Sequence, residues 1–323
     1  MVGQAKYEML QMAKVVTLTP NPAIDIAAHV AQLVPAHKMR CDRVRRDPGG
    51  GGINVARVVH RLGGEALAVY PAGGGPGNEL QSMLDLEGLP HRPIRVAGHT
   101  RESFNVTEDR SREQYRFVLP GEPMSAGELN SCVVTAHAFL GSGDYLVGSG
   151  SLPPGTTSDF YARLFAGAKA KGAKTVIDSR GEPLCKTLAC GVSILKASAR
   201  ELSEYLQVTP CSLREWSNAI TSLVAAGQAE TVVVTLGAQG AVLCDGKSAW
   251  HAAVPRVQAS TTVGAGDSFL GGLLVKLLGA CSVEVALRYA AAAGTAALLT
   301  LGTGLCDLVD VSRLNEHVEL TSL

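Results

Sequence analysis

The sequence predicts an α/β fold, with a mostly parallel central sheet covered by helices on both faces and a small β-sheet lid. Three observations carry this. Short β-rich runs alternate with helical segments along most of the 323 residues, the pattern of parallel strands joined by crossover helices. Two glycine runs, Pro48–Gly52 and Val263–Gly266, lead directly into apolar helical segments. Around residues 100 to 118 the alternation breaks: Ser103–Val106 and Gln114–Val118 read as a hairpin with no helix of its own. No repeat interrupts the chain, so residues 13–323 are expected to form a single domain, with residues 1–12 as an N-terminal extension.

Taken in order, Val15–Thr19 is a first strand, ended by Pro20-Asn21-Pro22. Asp25 follows, either a carboxylate facing a ligand beyond a strand end or a turn aspartate. Residues 36–47, carrying Lys38, Arg40, Arg43, Arg45 and Arg46, read as a half-exposed strand pair. Their charge suits a phosphorylated ligand, and with residues 100–118 they make up the lid. Gly49–Gly52 are costly in backbone entropy. Running at once into Ile53–Val59, they point to close backbone contact with a ligand rather than a linker, and Asn54 in the first helical turn can both donate and accept hydrogen bonds. Neither a G-x-G-x-x-G register nor a G-K-[ST] follows, which argues against a dinucleotide fingerprint and a Walker loop.

Ala66–Tyr70 is the next strand, before a second glycine cluster and a helix over Asn78–Leu86. Helix Ala126–Phe139, strand Tyr145–Val147, loop Gly148–Gly155, helix Ser158–Lys171, strand Thr175–Ile177 and strand Val192–Leu195, ending at Lys196, continue the alternation. Val232–Leu236 is a buried β-branched strand, turned by Gly237–Gly240 into an antiparallel edge of Ala241–Cys244 and Ser248–Ala252. Helices Phe269–Leu278 and Ser282–Leu299 follow, rich in alanine for close packing. Right-handed crossovers gather the loops after the parallel strands at one edge, where ligands bind.

The stretch Thr261–Phe269 carries the most chemistry. Glycines ahead of a helix aim unpaired N–H groups at an anion, and Asp267, about one turn in, would suit a general base beside a phosphate; the alternative reading is an ordinary first-turn aspartate in a glycine-rich helix entry. The rest of the composition narrows the partners. Basic and acidic residues, 29 of each, cancel, so net charge favours neither nucleic acid nor an anionic membrane. Eight scattered cysteines form no CxxC pair and fit a reducing, cytoplasmic setting. No signal peptide is expected, and the apolar run Tyr289–Leu301 is short for a membrane span and reads as a buried helix.

Read together, PGGGGINVA at 48–56 and TVGAGDSF at 262–269 resemble the two signatures of the ribokinase/PfkB family of carbohydrate kinases, and the likeness covers nearly the whole chain after the first dozen residues. Within the family, Ala36–Cys41, Glu113–Phe117, Gly148–Gly155, Thr303 and Leu305-Cys306 are most similar to the minor bacterial 6-phosphofructokinases. The resemblance implies a ribokinase-like three-layer sandwich. The implied reaction is ATP-dependent phosphorylation of fructose 6-phosphate at its C1 hydroxyl. 1-Phosphofructokinase, tagatose-6-phosphate kinase and a catalytically weakened sugar-phosphate-binding regulatory protein stand as alternatives. It implies ATP and Mg2+, with K+ as a further candidate, and a homodimer formed through the lid.

Residue by residue, it implies Asp267 as the catalytic base and Gly264, Ala265 and Gly266 as the anion hole. Asp25, Lys38, Gly50, Gly51, Asn54, Arg101 and Ser149 would bind the sugar phosphate. Lys196, Ser198, Thr235, Gly237, Gly240 and Thr262 would bind the nucleotide, and Glu201 would act on magnesium indirectly. The chain departs from the family pattern twice. Ser198 stands where Asn is expected in Asn-x-x-Glu, and Gly304 where this group carries Arg.

Overall fold

The computed structural model describes residues 13–300, 302 and 304–323. The extension read at residues 1–12 lies outside the described residues, as do Leu301 and Thr303. The chain begins β1 (Val15–Leu18), β2 (Ala23–Val30), β3 (Asp42–Gly49), α1 (Gly51–Arg61), β4 (Ala66–Ala72), α2 (Gly74–Leu86) and β5 (His91–Arg95). It continues through β6 (Arg101–Glu108), β7 (Gln114–Val118), α3 (Ala126–Ala138), β8 (Tyr145–Ser149), α4 (Phe160–Ala170), β9 (Lys174–Asp178) and α5 (Gly181–Leu188). Then come β10 (Val192–Ser198), α6 (Ala199–Leu206), α7 (Leu213–Ala225), β11 (Ala229–Thr235) and a 3₁₀ turn (Gly237–Gln239). The last elements are β12 (Ala241–Cys244), β13 (Ala249–Ala253), α8 (Ala265–Leu278), α9 (Val283–Ala297), α10 (Leu308–Asn315) and β14 (Glu319–Ser322).

The main sheet has ten strands in the order β14-β13-β12-β11-β10-β9-β8-β1-β4-β5. It is parallel from β11 to β5, and β12, β13 and β14 close one edge antiparallel. Alternate side chains of its strands feed two separate cores. Val15, Val147, Ile194 and Val233 pack against α1, α2, α8, α9 and α10. Val16, Leu146, Leu195 and Val232 pack against α3, α4, α5, α6 and α7. Both faces being covered explains why the strands read as continuous apolar runs. This is the three-layer arrangement expected.

The lid is a second sheet, ordered β3-β2-β6-β7. It corrects the sequence reading in two places. Residues 36–41 are not strand; they belong to an exposed arc in which Ala36 takes φ 63°. The lid also contains β2, which the sequence reading does not include, and β2 lies at its centre. Burial on both sides of β2 removes the polar alternation that would have marked it. Asp25 is therefore inside a lid strand, paired across to Asp47 and Ser103, rather than beyond a strand of the main sheet. Helix α8 starts at Ala265, four residues before the expected start, and β5, α5, α6, α7, α10 and β14 are further elements not read from sequence.

Helices α1 and α8 approach closely because Gly271 faces Val58: a Cβ at Gly271 would stand 2.5 Å from Val58 Cγ1. Gly271→Val is expected to push the helices apart and cost about 1–3 kcal/mol by overpacking. Urea denaturation checks this, and an unchanged midpoint would show that the spacing is not set by this glycine.

Candidate active site

Strand order reverses between β1 and β8: from β1 the chain builds outward through β4 and β5, then returns to place β8 on the other side. A crevice opens at such a switch point beyond the carboxyl ends of the strands. Here it is a cleft of about 380 Å³. The N-termini of α1 and α8 and the ends of β8, β9 and β10 form its floor, and the inner face of the lid forms its roof.

Neither α1 nor α8 has a side-chain cap, so their first-turn N–H groups remain available to a ligand. Gly264, the N-cap of α8, sits at φ 77°, and Gly51 at the start of α1 lies so close to β8 that a Cβ would meet Ser149 Oγ at 2.2 Å. Asp267 occupies the first turn of α8. Its carboxylate Oδ2 accepts a hydrogen bond from Asn54 Nδ2 on α1 at 2.9 Å. Burial raises the Asp267 pKa above the usual carboxylate range, opposed by Lys196 and by the Asn54 bond. The result is a desolvated base beside two uncapped helix N-termini, suited to taking a proton from a hydroxyl held near an anionic group.

Lys196, at the end of β10, donates to Asp178 Oδ2 at 2.8 Å, and both side chains are buried. Its Nζ packs on the first turn of α8, where a Cβ at Gly266 would come within 2.8 Å of it. Burial pushes Asp178 up to about 6 despite the lysine, with Asp267 and Glu201 adding to the rise. Burial also works to lower the lysine, yet Asp178, Asp267 and Glu201 together hold its pKa above the ordinary value. The cleft floor thus carries a fixed cation among three acids.

Ser198 caps α6 reciprocally with Glu201: the serine N–H and Oγ donate to Glu201 Oε2 at 2.8 and 2.7 Å, and Glu201 N–H donates back to Oγ at 3.3 Å. Against the effect of burial, these bonds together with Lys196 and Arg180 hold the Glu201 pKa below its usual value. Glu201 is therefore an ionised carboxylate facing the cleft, with Oε1 outside the cap. No group of three or more metal-ligating side chains occurs among the described residues. A nucleotide-bound Mg2+ keeps several waters and needs only one or two carboxylates, so Glu201 fits a water-mediated contact.

The lid supplies the opposite wall. Arg101 donates to the Asn21 carbonyl at 3.2 Å and to Ser103 Oγ at 3.2 Å, and among the described residues it makes no ion pair. Arg116 faces the same cleft, also without one. Burial raises the Asp25 pKa, opposed by these two guanidinium groups. Asn105 is 5% exposed, and its Oδ1 has no hydrogen-bond partner among the described residues. Two cations that make no ion pair among the described residues and one open acceptor are what a bound phosphate with neighbouring hydroxyls would satisfy.

Of the residues expected from sequence, Asp25, Gly50, Gly51, Asn54, Arg101, Ser149, Lys196, Glu201, Thr262, Gly264, Gly266 and Asp267 line this one cleft. Ala265 sits among them as the first residue of α8 without lining it. Ser198 and Thr235 pair across β10 and β11 at the adjoining sheet edge, with Gly237 exposed beyond. Gly240 has a structural role of its own, since a Cβ there would run into the Ala252 carbonyl oxygen. Lys38 is not brought in: it is exposed on the arc before β3, outside the cleft lining, because the lid strand begins only at Asp42. Sequence reasoning missed Asp178, Ser179, Arg180, Ser103, Asn105 and Arg116 as lining residues. Asp178 carried a usable signal, the end of a parallel strand. The lid residues carried none, since only pairing decides which face of a hairpin turns inward.

A profile of the pfkB family carbohydrate kinases matches residues 16–309. The chain is 42% identical over 303 residues to an ATP-dependent 6-phosphofructokinase isozyme 2 from Mycobacterium tuberculosis, covering 94% of this chain and 89% of that protein. It is 38% identical over 308 residues to the isozyme 2 enzyme of Escherichia coli, covering 95% and 99%. The crystal structure of phosphofructokinase-2 from Escherichia coli in complex with potassium superposes with a TM-score of 0.90 at 37% identity, over 95% of this chain and 99% of that one. Glycine-started helices, buried aspartate and two-sheet architecture therefore agree with the matches over nearly full length: the chain belongs to the pfkB family of carbohydrate kinases.

Proposed function

We propose that the protein is an ATP-dependent 6-phosphofructokinase, transferring the γ-phosphoryl group to the C1 hydroxyl of fructose 6-phosphate to give fructose 1,6-bisphosphate and ADP. The observation that carries the proposal is the placement of Asp267. It is a desolvated carboxylate between an uncapped helix N-terminus and, across the cleft, two guanidinium groups that make no ion pair among the described residues. Two relatives named as 6-phosphofructokinases at 42% and 38% identity support the choice of sugar.

In this reading Arg101 and Arg116 hold the 6-phosphate. Asp25, Asn54, Asn105 and the backbone of Gly50 and Gly51 take the sugar hydroxyls. Asp267 orients the C1 hydroxyl in line with the γ-phosphorus and accepts its proton as the oxygen attacks. The N–H groups at Gly264–Asp267 and the Lys196 ammonium stabilise charge on the phosphoryl oxygens. The edge formed by Ser198, Thr235 and Gly237 carries the nucleotide, with Thr262 on the phosphate side. Mg2+ bound with ATP would neutralise the phosphates, with Glu201 reaching it through water. The potassium complex of the Escherichia coli enzyme supports K+ as a second cation.

A second copy of the chain is the proposed partner. The lid leaves Val44, Phe104, Tyr115 and Phe117 exposed, an apolar set that a homodimer through the lid would cover. No helix among the described residues is long and apolar enough to cross a membrane, and the cysteines among the described residues are free, which supports a cytoplasmic enzyme.

The test is ADP formation with fructose 6-phosphate, fructose 1-phosphate, tagatose 6-phosphate and unphosphorylated sugars. Preference for fructose 6-phosphate is expected; preference for another acceptor reassigns the substrate, and binding without ADP release overturns the enzyme reading. Asp267→Ala is expected to lower kcat by about 10²–10⁴-fold with the fold intact by circular dichroism, and near-normal turnover would remove Asp267 as base. Because the base must be ionised and its pKa is raised, wild-type kcat falls toward acid from a higher pH than an ordinary carboxylate would dictate. Arg101→Ala is expected to raise the KM for fructose 6-phosphate at least about tenfold with little change for ATP; equal rises would contradict its assignment to the sugar phosphate.

A further inference from the structure

Behind Asp267 a chain of polar groups runs from the cleft to the protein surface. Asn54 donates its amide N–H to Asp267, and its Oδ1 accepts from Arg57 Nη1 at 3.2 Å. Arg57 is one turn further along α1 and 1% exposed. The same Nη1 donates to the Pro48 carbonyl at 3.0 Å, at the head of the glycine run. The far side of the guanidinium meets Glu87, the residue closing α2, through two bonds: Nε to Oε2 at 2.9 Å and Nη2 to Oε1 at 2.5 Å. Arg61 also reaches Glu87, at 3.3 Å.

A primary amide has two ends of nearly equal shape, one donating and one accepting. Turned one way Asn54 stabilises the Asp267 carboxylate; turned the other it sets an oxygen against an oxygen. Arginine has only donors, so Arg57 admits only the first orientation. A lysine point charge would lack the fork that grips Glu87 on one side while reaching Asn54 and Pro48 on the other.

We infer that Arg57 is a positioning residue for phosphoryl transfer: held by Glu87, it locks the Asn54 amide so that its N–H faces Asp267, and it ties the glycine run to the same anchor. The inference rests on the kinase reading, with Asp267 as base. Arg57 touches no substrate in it; its effect passes through Asn54 and the Pro48 backbone.

A double-mutant cycle separates this from ordinary support of the core. Arg57→Met, Asn54→Ala and the combination are compared with wild type by ADP formation with fructose 6-phosphate, with thermal unfolding of each. Arg57→Met is expected to lower kcat at least about tenfold while leaving the KM for ATP unchanged, and to cause little further loss in the Asn54→Ala background. The same fold-loss in both backgrounds, or no loss in wild type, overturns the relay. If Arg57→Met does not fold, the paired Arg57→Met/Glu87→Met variant removes both charges, leaves neither partner as an uncompensated ion, and enters the same cycle with the same expectation. Absence of wild-type turnover with every sugar phosphate overturns the kinase reading and the relay with it, whereas wild-type turnover with an additive cycle overturns the relay alone.

Discussion

The hydrogen bond from Asn54 to Asp267 joins residues 213 positions apart and depends on two helices starting in the same place. Helix α1 follows a strand of the lid, and α8 follows the loop after β13. Their first turns can meet only if their bodies pack without bulk between them, which Gly271 against Val58 allows. The glycines at the helix starts and the glycine inside α8 thus serve one geometric end. The former leave N–H groups open and room beside Ser149; the latter sets the helix separation that lets an amide on one reach a carboxylate on the other.

Electrostatics on the floor of the cleft follow from the same crowding. Asp178, Glu201 and Asp267 converge on Lys196, which among the described residues hydrogen-bonds only the first. A buried pair of this kind is weak support for stability, because desolvation offsets most of its attraction. Its value lies in holding an ammonium group against the first turn of α8, where an anionic group would otherwise face three acids. The two guanidinium groups of the lid sit on the opposite wall, so positive charge brackets Asp267 from both sides while its carboxylate stays poorly solvated.

How far this was legible in the sequence varied with the kind of signal. The parallel core was readable because strands such as Val232–Thr235 are continuous apolar runs between glycine turns. Asp267 and Asn54 were readable because each sits within a turn of glycines that open a helix start to a ligand. The lid was half readable: its hairpin alternates visibly, but β2 is buried on both sides and shows no alternation. Resemblance and local charge point Lys38 toward the site, and neither can say that the chain there bulges outward before β3 begins. Asn105 and Arg116 became site residues only once β6 and β7 were paired, because inward or outward facing is a property of the register. Arg57 reads in sequence as one more basic residue on an amphipathic helix; its burial and its four oxygen partners exist only in three dimensions.

The two departures from the family pattern act differently once placed. A serine at 198 is a strong N-cap, and with Glu201 three residues on it completes a reciprocal cap. The exchange puts a hydroxyl where the pattern has an amide, at the edge where β10 meets β11, and that hydroxyl holds Glu201 Oε2. Gly304 is buried, and its carbonyl lies beside Gly264, the N-cap of α8. Residues 304–306 lie against the helix start, where Leu305 packs on Gly264 and Cys306 N–H donates to Ser268 Oγ at 3.3 Å. This departure from the pattern thus lies beside the first turn of α8, which carries no side-chain cap among the described residues.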